Sequence, residues 1–574
     1  MHLKSMYPDV PPLPPGNVHY LCLRRPDQED WPDYTIHIEL KTGKTRSFRE
    51  FVQRVDYAAT ALGASIDKGC LGLSAENNDV VGIMSENCMD YVTFVHACFA
   101  IATPVALIAS YSTHFELKHA LQLSKLTCLF VDEKFVPLAL SVATEVGISL
   151  RSIYVMTGHV SGRKSFSQMI DDVRVKGVKK VDARPVSDDT LACLVFSSGT
   201  SGLPKAVMIS HGNFKFVLGQ MMVVAQEVEG GNPPQTPENI PKMLSYLPLH
   251  HVYELHMSCF RVFLAPQTMV MLPTWDTKLA LSIIPKYKIT ILPLVPSVVH
   301  QLLYHPKTPT TDFSSVMMAT CGAAHLPAEL GQRITALLPT EVVFTEGYGL
   351  SESTNAVLSQ PHPSTRGGWA KKVVGTVGVL LPGIEARIVR EDGTEADFDE
   401  VGELWIKGRS VTLGYLNNEK ATKETFVDRW LHTGDRFCAN KEGYFFFADR
   451  LKDTLKVSGN QVSPVEIENV LLSHPQGLIQ DAAVAGVNGG RTSDEKVPRA
   501  WVVLSESGKK MGTSAVIREL EKWHQDNLSK YKWLRGGIGV VEELPKNPTG
   551  KTLRRVLQDR YEQEVMSQGP KGKL

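Results

Sequence analysis

From about Phe48 to Leu330, short apolar runs alternate with segments of helical periodicity. Leu117, Ala120 and Leu121 fall on one helical face, and Cys128-Leu-Phe-Val131 then predicts a strand. Leu191 to Phe196, Ile289-Thr-Ile-Leu292 and Val342-Val-Phe344 predict further short strands, several of them rich in β-branched residues. This alternation predicts an α/β fold with largely parallel sheets. Tyr91 to Ser110 is almost long and apolar enough to span a bilayer. His96 and Pro104 interrupt it, so it reads as a core helix ending near Pro104 and followed by a strand, Val105–Ile108.

The rhythm changes at Gly375. Up to about Phe447, short strands such as Ala386–Val389 and Glu403–Lys407 are separated by Gly, Asp and Asn turns, which predicts a small β-subdomain. It changes again beyond Ala448-Asp-Arg-Leu-Lys452, a polar segment after the aromatic strand Tyr444–Phe447. Ser463-Pro-Val-Glu466 has the form of a capping box with proline at the first helical position. Ile467, Val470 and Leu471 supply the buried face of that helix. Strands at Ala482–Val487 and Ala500–Leu504 follow, then a helix carrying Ile517, Leu520 and Trp523. The expected organisation is a large unit over 1–448, a hinge at 449–452 and a smaller α+β unit over 453–574.

Composition narrows the function classes. The 574 residues carry 61 basic and 61 acidic side chains, a balance that argues against a nucleic-acid binder. Nine cysteines run from Cys22 to Cys438 with no CxxC spacing, which predicts reduced, mostly buried thiols rather than disulfides or a metal site. The proline-rich start has no basic region before an apolar run, so no secretory signal is expected. The sequence ends Gly-Lys-Leu574, close to the peroxisomal Ser-Lys-Leu address but without its serine. A cytoplasmic location is expected, with peroxisomal import as the alternative.

The strongest chemical signal is Leu194-Val-Phe-Ser-Ser-Gly-Thr-Ser-Gly-Leu-Pro-Lys205, a strand opening into a loop of hydroxyls and glycines that ends on a lysine. Glycines let backbone N–H groups converge, hydroxyls add donors and the lysine adds charge, so the loop suits a polyphosphate. It is neither a Walker A loop nor a dinucleotide GxGxxG turn. It resembles the phosphate-binding signature of the adenylate-forming (AMP-binding) enzymes, among them acyl-CoA synthetases, 4-coumarate–CoA ligases and beetle luciferases. Four further segments resemble that family's motifs in its order: Glu346-Gly-Tyr-Gly-Leu-Ser-Glu352, Trp430-Leu-His-Thr-Gly-Asp435, Asp449-Arg450-Leu451-Lys452 and Pro545-Lys-Asn-Pro-Thr-Gly-Lys551.

The resemblance implies roles for individual residues. Ser197, Ser198, Gly199, Thr200, Ser201, Gly202 and Lys205 would hold phosphates. Glu346, Gly347, Tyr348, Gly349 and Ser351 would line the nucleotide, with Tyr348 against adenine and Gly349 letting the backbone approach. Glu352, a hard oxygen ligand, would hold Mg²⁺. Asp435 would accept from both ribose hydroxyls, with Arg450 beside it. Lys452 would be the pivot of a mobile C-terminal domain and Lys551 the catalytic cation. Lys456, Ser458, Gly459 and Gln461 would serve the coenzyme A side, with Lys456 acting in the second half-reaction. His251 would orient the acyl carboxylate, and Tyr253, Met257, Val295, Thr320, Ala323, Ala324 and Gly347 would line the acyl pocket.

Several positions depart from the family pattern: Ala206 for Gly, His250 for Phe, His325 for Pro, Glu346 for Gln and Ser351 for Thr. The implied activity is ATP-dependent ligation of a carboxylic acid to coenzyme A through an acyl-AMP. The expected acid is hydrophobic, either aromatic or medium to long aliphatic, because Met257 stands where hydroxycinnamate ligases place a small polar residue. Its partners are then the acid, ATP and coenzyme A. An adenylating enzyme loading a carrier protein in trans, a luciferase-like oxygenase and an inactive regulatory paralogue are the competing readings.

Overall fold

The computed structural model describes residues 1–197, 204–229, 239–369, 371–451, 455–457, 460–488, 496–528, 530–547 and 550–567. Two mainly parallel sheets form the body of the large unit. The first has six strands in the order Ile153–Val155, Cys128–Val131, Val81–Met84, Val105–Ile108, Leu191–Ser197, Lys205–Ser210. All its neighbours are parallel except the last two, which pair as an antiparallel hairpin. The second sheet has nine strands, and Val343–Gly349, Met318–Cys321 and Ile291–Leu294 lie side by side in its parallel part. Strands covered on both faces need continuous apolar sequence, and Val81–Met84, Val105–Ile108 and Cys128–Val131 are buried at every position.

Helices lie between and around these sheets. Ser47 and Glu50 close a capping box at the start of helix Phe48–Gly63, which packs on helix Met89–Ala100. Only Asp90 of the latter escapes full burial, and it receives Arg46 and Arg54. The Tyr91–Ser110 segment is thus a core helix and a strand, as expected. Among the described residues no helix is long and apolar enough to cross a membrane. The cysteines are free, eight buried and Cys438 half-buried.

A third, antiparallel sheet forms the β-subdomain. It holds Glu385–Val389, Gly402–Lys407, Trp430–Ala439 and Phe445–Arg450, and recruits the first strand of the chain, His2–Lys4. Strand Phe445–Arg450 carries on through Asp449 and Arg450, which pair with Arg436 and Asp435. The hinge position Lys452 lies outside the described residues.

The smaller unit packs helices Pro464–Leu472 and Thr513–Asn527 on a three-stranded sheet of Ile479–Asn488, Lys496–Leu504 and Ile538–Val540. Ser463 accepts the Glu466 N–H, but the expected capping box is only half formed. The Glu466 carboxylate turns instead to Lys532, a charged partner stronger than the backbone N–H it gives up. Ile467 and Leu471 are buried, while Val470 is only half-buried.

Candidate active site

The ribose-binding candidates meet first. Strand Val343–Gly349 leads Tyr348 to the edge of the β-subdomain, where its O–H donates to Asp435 Oδ2 at 2.7 Å. Arg450 faces Asp435 across the antiparallel pair, its Nε 3.4 Å from the other carboxylate oxygen. Both acceptor oxygens of the buried Asp435 are therefore engaged within the protein, a cross-link between two sheets that sequence alone did not indicate. The Tyr348 ring meets Phe437 edge-on, and burial, helped by the Asp435 charge, drives its phenol pKa well above the ordinary value.

Gly349 answers to a packing need as well. A Cβ there would lie 2.3 Å from the Asn355 carbonyl oxygen and 2.5 Å from Ala356 Cα. The returning strand Ala356–Ser359 by itself requires a glycine here. Strain of another kind sits opposite, at the end of strand Met318–Cys321, where Ala323 holds a left-handed φ of 69°.

Ser197 and Lys205 are paired across the hairpin, closing the neck of the phosphate-loop candidate. Ser198, Gly199, Thr200, Ser201 and Gly202 lie outside the described residues. The Lys205 ammonium sits 4.4 Å above the ring centroid of Tyr415, and the Tyr415 O–H donates to Glu352 Oε1 at 2.9 Å. Tyr415 thus spaces a cation from a carboxylate, and no sequence motif had singled it out. Ser351 opens the short turn Ser351–Ser353 beside it. Among the described residues no group of three or more His, Cys, Asp or Glu could cage a metal. A lone hard carboxylate such as Glu352 still fits Mg²⁺, which takes one or two carboxylates and fills its remaining positions with phosphate and water.

The smaller unit closes the cavity from the other side. Lys551 lines the same space as Glu346, Gly347, Tyr348, Asp435 and Arg450, together with Ala323 and Ala324. It is half-buried, not the exposed loop residue that a basic tail would suggest. Its turn is built locally: Lys551 N–H donates to Asn547 Oδ1 at 2.8 Å, and Asn547 N–H returns to the Lys551 carbonyl at 2.9 Å. Gly550 combines a φ of +83° with a close approach, since a Cβ would come 2.3 Å from Ser297 Oγ of the large unit. Lys546 pairs with Asp481, and His300 Nε2 lies 2.9 Å from the Gln480 carbonyl across the two units.

The acyl-side candidates divide. Ala323, Ala324 and Gly347 line the Lys551 cavity, whereas Val295 borders a second one with Asn87, Tyr111, Tyr246, His250 and Trp275. Tyr253, Met257 and Thr320 border neither, the Tyr253 and Thr320 hydroxyls lying 2.7 Å apart and the Tyr253 ring close to Gly322 beside Gly347. That phenol is already bonded to Thr320. His251 caps helix Val252–Cys259, its Nδ1 accepting the Tyr253 N–H at 3.4 Å. Burial lowers its pKa to about 4, which keeps the ring neutral near pH 7. His250 is held lower, to about 3, and faces the Tyr111 hydroxyl at 3.3 Å.

Glu346 is pushed up to about 7 by burial, with Lys372 opposing, so its extra charge is only partly present near pH 7. Lys456 and Gln461 are cross-strand partners in the hairpin Leu455–Val457 and Asn460–Val462. Ser458, Gly459 and the terminal Gly-Lys-Leu lie outside the described residues.

The chain is similar to known proteins over most of its length. Residues 25–416 match the family described as AMP-binding enzyme, and residues 466–551 match the AMP-binding enzyme C-terminal domain. An acyl-CoA ligase of Alternaria alternata, AKT1, is 32% identical over 545 residues, covering 92% of this chain and 90% of its own. 4-Coumarate–CoA ligase 3 of Oryza sativa subsp. japonica is 29% identical over 527 residues, covering 91% and 88%. Among solved structures, the anthranilate CoA ligase AuaEII in complex with anthranoyl-AMP shares the fold with a TM-score of 0.81 at 23% identity, over 96% of this chain and 98% of that one.

Proposed function

The chain belongs to the AMP-binding enzyme family, and from that premise we propose that it joins a hydrophobic carboxylic acid to coenzyme A in two steps at one site. The observation that carries this reading is the shared cavity. Lys551 from one unit meets Tyr348, Asp435 and the small residues Ala323, Ala324 and Gly347 from the other.

In the first step a carboxylate oxygen of the acid attacks the α-phosphorus of ATP. The α–β phosphoanhydride breaks, pyrophosphate leaves and an acyl-AMP forms. Two anions must approach for this to happen, and the Lys551 ammonium offsets their repulsion where charge shifts most. Asp435 accepts from the ribose hydroxyls, which compete with Tyr348 and Arg450 for its oxygens. Lys205 and the hairpin loop hold the phosphates. Mg²⁺, held by Glu352, would neutralise phosphate charge. Neutral His251 orients the acid without adding a charge of its own.

In the second step the thiolate of coenzyme A attacks the acyl carbonyl, and AMP leaves with the pair of electrons from the broken C–O bond. The smaller unit turns about Lys452 between the steps. This removes Lys551 and brings Lys456, Ser458, Gly459 and Gln461 to the coenzyme A side. The small residues Ala323, Ala324 and Gly347 in the cavity lining, and a Tyr253 phenol already bonded to Thr320, support a hydrophobic acid.

The test is acid-dependent pyrophosphate release across a panel of acids, with thioester formation followed in parallel. Acyl-CoA formed in step with AMP is the expected result. Acyl-AMP that accumulates and never reaches coenzyme A would overturn the acceptor, and pyrophosphate release with no acid would overturn the reaction.

A further inference from the structure

Arg261 is a cation beside the acyl candidates Tyr253, Met257 and Thr320 to which the mechanism gives no task. It follows helix Val252–Cys259 in the turn Arg261–Phe263 and reaches back to Met257, which lies one helical turn after Tyr253 on the same face. That face looks onto strand Met318–Cys321. Tyr253 meets Thr320 there, and Arg261 Nη2 lies 3.3 Å from Met318 Sδ. Thr320 and Met318 are two residues apart, hence on the same side of the strand, and both are half-buried. Arg261 Nη1 is 3.7 Å from Met257 Sδ.

Thioether sulfurs are weak acceptors, and a guanidinium has five N–H donors in a fixed fork. Among the described residues no carboxylate pairs with Arg261, and the two sulfurs are its only hydrogen-bond partners. Other half-buried arginines here are served differently. Arg184 donates to the carbonyls of Leu73, Ile101 and Gly63, and Arg54 to Asp90. Arg261 is half-buried, and burial lowers its pKa.

We propose that Arg261 is a specificity residue that binds a second, distal carboxylate on the acid, so the preferred substrate has an apolar body with a carboxylate at each end. The inference rests on the ligase reading above and names the substrate class for that same site. The Met318 rung lies about 6–7 Å deeper than the Thr320 rung, at the ordinary rise of a strand. A linear body reaching past Tyr253 to that depth would be roughly as long as a medium-chain acid.

The test compares kcat/KM for adenylation of chain-matched pairs, each monocarboxylic acid against its α,ω-dicarboxylic counterpart, from six to twelve carbons. Wild type, Arg261→Met and Arg261→Lys are assayed together. At the best-fitting length the wild type is expected to favour the diacid by about tenfold or more, because the monoacid leaves the guanidinium unpaired. Arg261→Met should reverse the preference mainly through KM, and Arg261→Lys should keep part of it. A purely structural arginine would move thermal stability and leave the diacid-to-monoacid ratio alone. An unchanged ratio in both variants, or a wild type that favours the monoacid at every length, overturns the proposal. Failure of every acid to release pyrophosphate would instead overturn the ligase reading, which keeps the two outcomes apart.

Discussion

The two walls of the active-site cavity are built on different plans. On the large unit, functional side chains hold one another: Tyr348 and Arg450 hold Asp435, while Tyr415 stands between Lys205 and Glu352. On the smaller unit, Lys551 rides on a turn closed by Asn547 and pressed against Ser297 through Gly550. One wall is organised before a nucleotide arrives and its geometry is fixed by two sheets. The other is delivered by a unit that meets its neighbour through contacts as slight as His300 with the Gln480 carbonyl. Groups on the fixed wall should therefore govern how tightly ATP binds, and the group on the delivered wall should govern how fast the first bond forms.

Removing the delivered cation is the largest way to break this contrast. Lys551→Ala should cut pyrophosphate release by roughly a hundredfold or more, the scale expected for one electrostatic group in a transition state. ATP affinity and the circular dichroism spectrum should barely change, and acyl-AMP supplied directly should still react with coenzyme A. A rate of acyl-AMP formation close to wild type would remove Lys551 from its role.

Asp435→Ala should do the converse. ATP affinity is expected to fall by about 1–3 kcal/mol, the usual range for hydrogen bonds to a charged group, as read by calorimetry. Tyr348 would lose its acceptor in the same variant, so Tyr348→Phe provides the control that separates the two losses.

Tyr415→Phe is a smaller and sharper test. It keeps the ring beneath Lys205 but deletes the O–H that fixes Glu352. A cost of about 1 kcal/mol is expected, seen as a raised Mg²⁺ requirement at fixed ATP.

The least effect on catalysis should come from Glu254, buried behind the acyl wall between Ser245 and Ser258. Burial raises its pKa from 4.5 to about 8, so the folded protein holds a proton that the unfolded chain releases near 4.5. Its stabilisation is complete below about pH 4.5 and is lost as pH rises through 8. Thermal unfolding between pH 5 and 8 should thus fall more steeply for wild type than for Glu254→Gln. Parallel curves would mean that Glu254 is ionised in the fold.

The same contrast explains what could be read from the sequence. Motifs whose chemistry is local were legible: the Leu191–Phe196 strand before its glycine loop, the core helix ahead of Pro104, and the aromatic strand leading to Arg450. Tyr415 was not, because its partners lie 63 residues away at Glu352 and far back at Lys205, and no local pattern marks such a pairing. The packing of Ala356 against Gly349 is equally hidden, because a register of that kind appears only once the hairpin is folded. The strand expected at Ile289–Leu292 runs instead over Ile291–Leu294, through a proline that would normally end it. Its ladder to Lys242–Ser245 is limited to Met243 opposite Ile291, so the missing N–H of Pro293 breaks no bond on that side.

Strand His2–Lys4 has no neighbour until Glu385–Lys4 pairing becomes possible in the sheet of the β-subdomain. At ordinary rates of translation, about 5–20 residues per second, that partner emerges roughly 20–80 s after the strand itself. For that interval the opening segment must stay uncommitted while two parallel sheets assemble beside it. Its brevity then has a kinetic use, since three residues offer little edge for a neighbouring chain on the same messenger to capture.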